Sequence, residues 1–186
     1  MYKLIKLNKS ILLGLLLVAF LLPVSKVKAQ VVKVEMTIDG LECAACSFGI
    51  QKALNRLGFV ESMTPDIHKH TAVLMLKNME KFDLEALAGA IHDAGFYITR
   101  LLLFTKPGFA LKENTCLAYP SWSLTTMPSP QKATHPNAIQ VLGLSFMPKP
   151  SYKKLGIKAP PAPCNGGEQK LGSNPILYWG YLVDAE

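Results

Sequence analysis

This 186-residue sequence has no internal repeat, no low-complexity tract and no apolar run long enough to cross a membrane as a helix. Its longest apolar run, Ile11 to Val24, holds fourteen residues. It would reach only about 21 Å against a hydrocarbon core of ~30 Å, which argues against a spanning anchor. No cysteine lies in or just after that run, which argues against a lipid-modified N-terminus. Surplus charge is also missing where it would count. Residues 1–29 carry five lysines and no acid, so the formal +7 of the whole chain falls to +2 for residues 30–186. A basic balance confined to a removable segment gives no reason to expect a nucleic-acid or acidic partner. The later lysines Lys149, Lys153, Lys154 and Lys158 are interrupted by prolines and glycine and read as a solvated loop.

The N-terminus itself is informative. Lys3, Lys6 and Lys9 precede the apolar run, and Ser25 to Ala29 follow it with Val27 and Ala29 in the pattern a signal peptidase reads. This predicts a signal peptide over residues 1–29, cleaved between Ala29 and Gln30. The protein is then exported (periplasmic in a Gram-negative cell) and free of the membrane after cleavage. Four cysteines remain: Cys43 and Cys46 three apart in one motif, Cys116 and Cys164 isolated among prolines. An oxidising compartment favours disulfides, but the unequal spacing suggests two different jobs.

Val31 to Ile38 alternates, with Val32, Val34, Met36 and Ile38 on one face, the period of a half-buried strand. From Cys46 onward Ile50, Ala53, Leu54 and Leu57 form a helical stripe, with Gly58 placed to cap it. Phe59–Asp66 and Thr71–Lys77 read as strands around the polar turn His68-Lys69-His70. A second helix begins at Asp83, whose carboxylate can cap the first turn while Phe82 staples against Leu87. Leu84, Leu87, Ala88 and Ile91 line one face, Gly95 ends the helix, and Phe96–Phe104 returns to strand. The expected class is α+β: a ferredoxin-like βαββαβ domain over residues 30–103. Its predicted core is Val34, Met36, Leu54, Leu57, Val73, Met75, Leu87 and Ile91. Eleven of the thirteen prolines lie between Pro107 and Pro175, so residues 104–186 read as a small, loop-rich β region with strands near 139–146 and 176–183. Its thin core makes a Cys116–Cys164 bridge reasonable, at roughly 4 kcal/mol in the chain-entropy account.

Gly40-Leu41-Glu42-Cys43-Ala44-Ala45-Cys46 lies between the first strand and the first helix. Two thiols so placed can converge on one ion, and the helix N-terminus favours the thiolate. Thiolates select soft ions, and two alone suit a near-linear site for a monovalent d¹⁰ ion or Hg(II); tetrahedral zinc would need two more ligands. A CxxC pair by itself also fits half a zinc site, a redox pair or a structural disulfide. In this setting the loop resembles that of the heavy-metal-associated domain family, which reads Gly-Met-x-Cys-x-x-Cys. The likeness covers about Val31 to Arg100, including Asp93-Ala94-Gly95-Phe96, the turn that faces the metal loop in that family. The exported location and the Cys-Ala-Ala-Cys spelling are most similar to its periplasmic mercuric-ion and copper-chaperone types.

The resemblance implies that Cys43 and Cys46 are the metal ligands, that the cargo is Cu(I) with Hg(II) or Zn(II) as alternatives, and that the protein binds and hands over its ion without catalysis. A membrane metal transporter or another metal-binding protein would be the partner. Two positions depart from the family pattern. Leu41 stands for the usual methionine and keeps its packing, and Glu42 puts a carboxylate beside the first cysteine, either as a harder ligand or as a solvated side chain. His68 and His70 could present a second site but read more simply as turn polars. His92 reads as a helix-surface residue, His135 as a loop residue, and Met127 and Met147 form no repeated motif. Tyr119, Trp122, Tyr178, Trp179 and Tyr181 read as core or interface aromatics. Two rival functions stay open: a thiol–disulfide oxidoreductase, which the missing aromatic-Cys start and the split βαβ order disfavour, and an adaptor that docks a partner through its C-terminal β region.

Overall fold

The computed structural model describes residues 31–77, 79–107, 109, 111–129, 133–134, 136–157 and 175–185. The expected signal peptide, His135, Lys158 and Cys164 lie outside them. The first domain follows the expected order, with β1 (Val31–Asp39), α1 (Ala44–Leu54), β2 (Val60–Asp66), β3 (Thr71–Leu76), α2 (Leu84–Asp93) and β4 (Tyr97–Thr105). The four strands lie in the order β2-β3-β1-β4, antiparallel throughout.

Local chemistry explains most boundaries. Asp83 caps α2 as expected, its Oδ1 accepting the Ala86 amide at 2.9 Å. At the other end Gly95 takes φ +88, its N–H donates to His92 C=O at 2.8 Å, and Phe96 N–H donates to Ile91 C=O at 3.1 Å. That paired bonding is a Schellman termination, open to glycine because a left-handed residue lacking Cβ is unstrained. In the β2–β3 turn, Asp66 Oδ1 accepts the His68 and Lys69 amides, both at 3.0 Å.

Several expectations are corrected. Helix α1 starts two residues before Cys46 and stops at Leu54, with Asn55 N–H donating to Gln51 C=O at 2.9 Å. Gly58 is not its cap and has no positive φ, because the chain first tightens through Arg56 and Leu57 amides donating to Ala53 and Leu54 carbonyls. Leu57 is consequently only partly buried. In β1, Val31 is buried instead of Val32, since the pairing with β4 shifts register between Val31 and Lys33 and such a bulge changes which residues face inward. In β3 the core residues are Ala72, Leu74 and Leu76, while Met75 is 42% exposed and Val73 half-buried. The run Ala-Val-Leu-Met-Leu has no polar position to mark a face, so pairing with β1 decides it.

The C-terminal region extends the same sheet. Strands β5 (Cys116–Ala118), β6 (Trp122–Met127), β7 (Ala138–Leu142) and β8 (Ile176–Val183) are joined by a short helix, α3 (Lys149–Lys154), between β7 and β8. That helix replaces the loop expected at Lys149, Lys153 and Lys154. β7 pairs with β4 through Leu102↔Gln140 and Leu103↔Ile139. The full order is β2-β3-β1-β4-β7-β8-β6-β5, with β8 parallel to β6 and antiparallel to β7. Gly180 in β8 marks the closest approach, because a Cβ there would lie 2.7 Å from Ile139 Cγ2 and 2.9 Å from Leu124 Cδ2.

A separate thin core is not what forms. Leu117, Tyr119, Trp122, Leu124, Ile139, Val141, Phe146, Tyr178 and Leu182 belong to one buried cluster with Val34, Leu54, Leu87 and Ile91. The seam is aromatic and polar at once. Phe82 meets Phe59, Tyr119 and Trp122 edge-on, with centroids 5.5–5.9 Å apart, and Tyr119 stacks on Trp122 at 4.3 Å. Phe82 is thus committed to the seam. Trp122 Nε1–H donates to Phe82 C=O at 2.9 Å, Val31 N–H donates to the Tyr119 hydroxyl at 2.9 Å, and the Tyr178 hydroxyl donates to the Glu85 carboxylate. Burial pushes the Tyr119 phenol up to about 12, against a smaller lowering by the Val31 amide. Burial, then the Glu85 bond and the charges of Glu85 and Asp83, raise Tyr178 well above the ordinary phenol range. Trp179 and Tyr181 are half-buried. Cys116 is disulfide-bonded; its expected partner is outside the described residues.

Candidate metal centre

Gly40 ends β1 in the left-handed region at φ +87, and a Cβ there would sit 3.1 Å from Phe96 Cδ1. The α2–β4 turn therefore packs directly on the cysteine loop. Leu41 is fully buried, the prop expected of that position, and Glu42 is exposed.

Cys43 is the N-cap of α1 in extended conformation, and its Sγ accepts the Cys46 amide at 3.0 Å. Its carbonyl accepts the Ser47 amide at 3.0 Å, and Ser47 Oγ donates to Ala44 C=O at 2.9 Å. The cap places one sulfur where unsatisfied amides converge and the other in the first turn. Once reduced, Cys43 would present its thiolate to the Cys46 amide and the helix N-terminus. Cys43 is exposed, whereas Cys46 is half-buried and packs against the core.

The sulfurs meet, and here they are joined: Cys43 and Cys46 form a disulfide with Cα atoms 5.1 Å apart. The expectation of paired thiols is therefore seen in its oxidised form, which has no thiolate lone pair to offer an ion. Two-electron reduction by a dithiol, with the reductant leaving as its own disulfide, returns both thiols.

Of the other candidates, His92 is on the surface of α2, 3.8 Å from the Asp93 carboxylate and edge-on to Tyr97 at 5.4 Å. Met147 is buried and Met127 half-buried. His68 is exposed. The His70 ring turns to the cysteine loop, with Nδ1 3.0 Å from Leu41 C=O. That contact has no sequence signal beyond the place of His70 in a turn. Among the described residues no three or more His, Cys, Asp or Glu side chains gather into a metal-holding group.

Fold and site together define a paired-cysteine loop at the end of a ferredoxin-like sheet. Residues 35–97, about a third of the chain, match the family model of the heavy-metal-associated domain. Solved structures similar to it include the CopZ metallochaperone, at 19% identity over 36% of this chain and 98% of that one, TM-score 0.34. Oxidized MerP from Ralstonia metallidurans CH34 shares 24% identity over 38% and 94%, TM-score 0.33. A copper binding domain from HMA7, a P-type ATPase, shares 27% over 36% and 92%, TM-score 0.32. A search of curated proteins finds no match.

Proposed function

We propose that this protein is an exported carrier that binds one soft heavy-metal ion through Cys43 and Cys46 and releases it by thiolate exchange, in metal trafficking or detoxification. The observation that carries the reading is the N-cap geometry, which brings two sulfurs together at an accessible helix start inside a segment matching a heavy-metal-associated domain. Two thiolates, with no third ligand gathered beside them among the described residues, favour Cu(I), with Hg(II) next; Zn(II) or Cd(II) would need further ligands.

An incoming donor thiolate attacks the bound ion from the exposed side, forming a three-coordinate intermediate. Cys43 leaves first because it is the exposed sulfur, and Cys46 follows. The partner is a metal-binding domain of a transporter or another carrier, and Phe48, 68% exposed two residues past Cys46, supplies apolar contact beside the sulfurs. Native mass spectrometry of the reduced protein against competing Cu(I), Hg(II) and Zn(II) tests this. One equivalent bound by wild type and none by Cys43→Ser/Cys46→Ser is expected; no uptake of any ion by the reduced wild type sinks the reading.

One observation favours a second reading. The joined Cys43–Cys46 pair is also the oxidised state of a thiol–disulfide oxidoreductase. Insulin reduction faster than with a Cys43→Ser control would move the function there.

A further inference from the structure

His70 occupies a conformation that needs a reason. It is the last residue of the β2–β3 turn, and its φ of +54 lies in the left-handed region that non-glycine residues adopt at some expense. From there it holds the end of β1 and the cysteine loop together. Its carbonyl accepts the Ile38 amide at 2.8 Å, and its ring Nδ1 lies 3.0 Å from Leu41 C=O. A carbonyl only accepts, so the hydrogen bond requires Nδ1 to carry the hydrogen. Between Ile38 and Cys43 the loop otherwise makes short-range main-chain bonds, Leu41 N–H to Ile38 C=O at 3.4 Å and Glu42 N–H to Gly40 C=O at 3.0 Å. Leu41 anchors the segment below by burial, and the imidazole anchors its main chain from the side.

We propose that His70 is the positioning residue of the thiol loop, holding Cys43 over Cys46 when the two are reduced. In the oxidised protein the S–S bond does this by itself. After reduction the ring's bond to Leu41 keeps the loop from drifting, so the two sulfurs stay converged. Disulfide closure and capture of one ion by two sulfurs both require that convergence. Removing the clasp therefore weakens both by a similar factor, about two- to tenfold for one net hydrogen bond. For the disulfide this is a less negative reduction potential by up to about 30 mV.

The metal half of this inference rests on the proposed function; the thiol–disulfide half does not. The test compares the full chain with His70→Gly and His70→Asn. Glycine relaxes the backbone and removes the donor, so loss of fold is not the expected defect. Asparagine tolerates the left-handed backbone and places an amide N–H one bond from Cγ, where Nδ1 stands. The readouts are the thiol–disulfide equilibrium against a glutathione couple and Cu(I) affinity against a colorimetric chelator. The glycine variant is expected to shift both by about two- to tenfold and the asparagine variant to restore both. The proposal is overturned if glycine leaves the equilibrium unchanged, or if asparagine fails to restore it. It is overturned too if glycine lowers only the unfolding temperature of the oxidised protein, which would make His70 a hairpin residue and nothing more. Should reduced wild type take up no Cu(I), the proposed function falls while the glutathione equilibrium still decides the role of His70.

Discussion

Trp122→Phe tests whether the two regions share one core. Trp122 is 1% exposed, donates to Phe82 C=O at 2.9 Å, stacks on Tyr119 and meets Phe82 edge-on. Phenylalanine retains a ring but leaves the Phe82 carbonyl without its donor, a loss of about 1–3 kcal/mol. Trp122→Ala removes the ring as well, at about 3–5 kcal/mol, a large part of a domain's ~5–15 kcal/mol. With a urea dependence of about 1–3 kcal/mol/M, Trp122→Phe should lower the unfolding midpoint by about 1 M. The assay follows backbone amide signals of β2 and β3 separately from those of β8 across the titration. A shared core predicts that both sets move together, although β2 and β3 are at the far side of the sheet from β6. If β2 and β3 keep their wild-type midpoint while β8 unfolds early, the argument for one cooperative unit is refuted.

Two further outcomes are expected. Gly40→Ala forces a left-handed alanine whose Cβ would lie 3.1 Å from Phe96 Cδ1; it should lower stability by about 2 kcal/mol, and an unchanged thermal midpoint would show that Phe96 does not constrain the loop. The raised Tyr119 phenol makes the fold sensitive to alkali: below pH 10 both states keep the proton, and from pH 10 to about 12 the unfolded chain ionises first. The Tyr119 share of the resulting fall in stability should be about 3 kcal/mol over that window, with the raised Tyr178 phenol adding to it. Denaturant midpoints at pH 9 and 11.5 measure it, and Tyr119→Phe should lessen the slope without abolishing it, because Tyr178 still contributes.

How much of this was legible in the sequence depended on whether each element carried its own punctuation. Helix α2 was readable because Asp83 and Gly95 act through their own backbone neighbours, and both do so here. β3 was not, since its face is chosen by β1 across the sheet. β5 and β6 escaped notice for a related reason. Cys116-Leu117-Ala118 is too short to carry a period, and Trp122–Met127 places Ser123 and Thr126 at buried positions. Their strand character comes from pairing with each other and with β8. The cysteine pair could be located from its spelling and its neighbours, whereas the bond between the sulfurs is a matter of electron supply that residue order does not encode. The His70 contact depended on how the β2–β3 hairpin leans toward β1, a property of the folded sheet alone.

Adding four strands beside β4 has a further effect on how the molecule meets its neighbours. A βαββαβ domain alone would leave β4 with a row of unpaired amides and carbonyls inviting another chain to zip alongside. Here β7 pairs with part of that row, at Leu102 and Leu103, and among the described residues the two outer rims of the sheet are poor templates. One is β2, where exposed Glu61 adds charge and Pro65 removes a donor; the other is the three-residue β5. Pairing with β7 takes that stretch of β4 out of reach of a second chain.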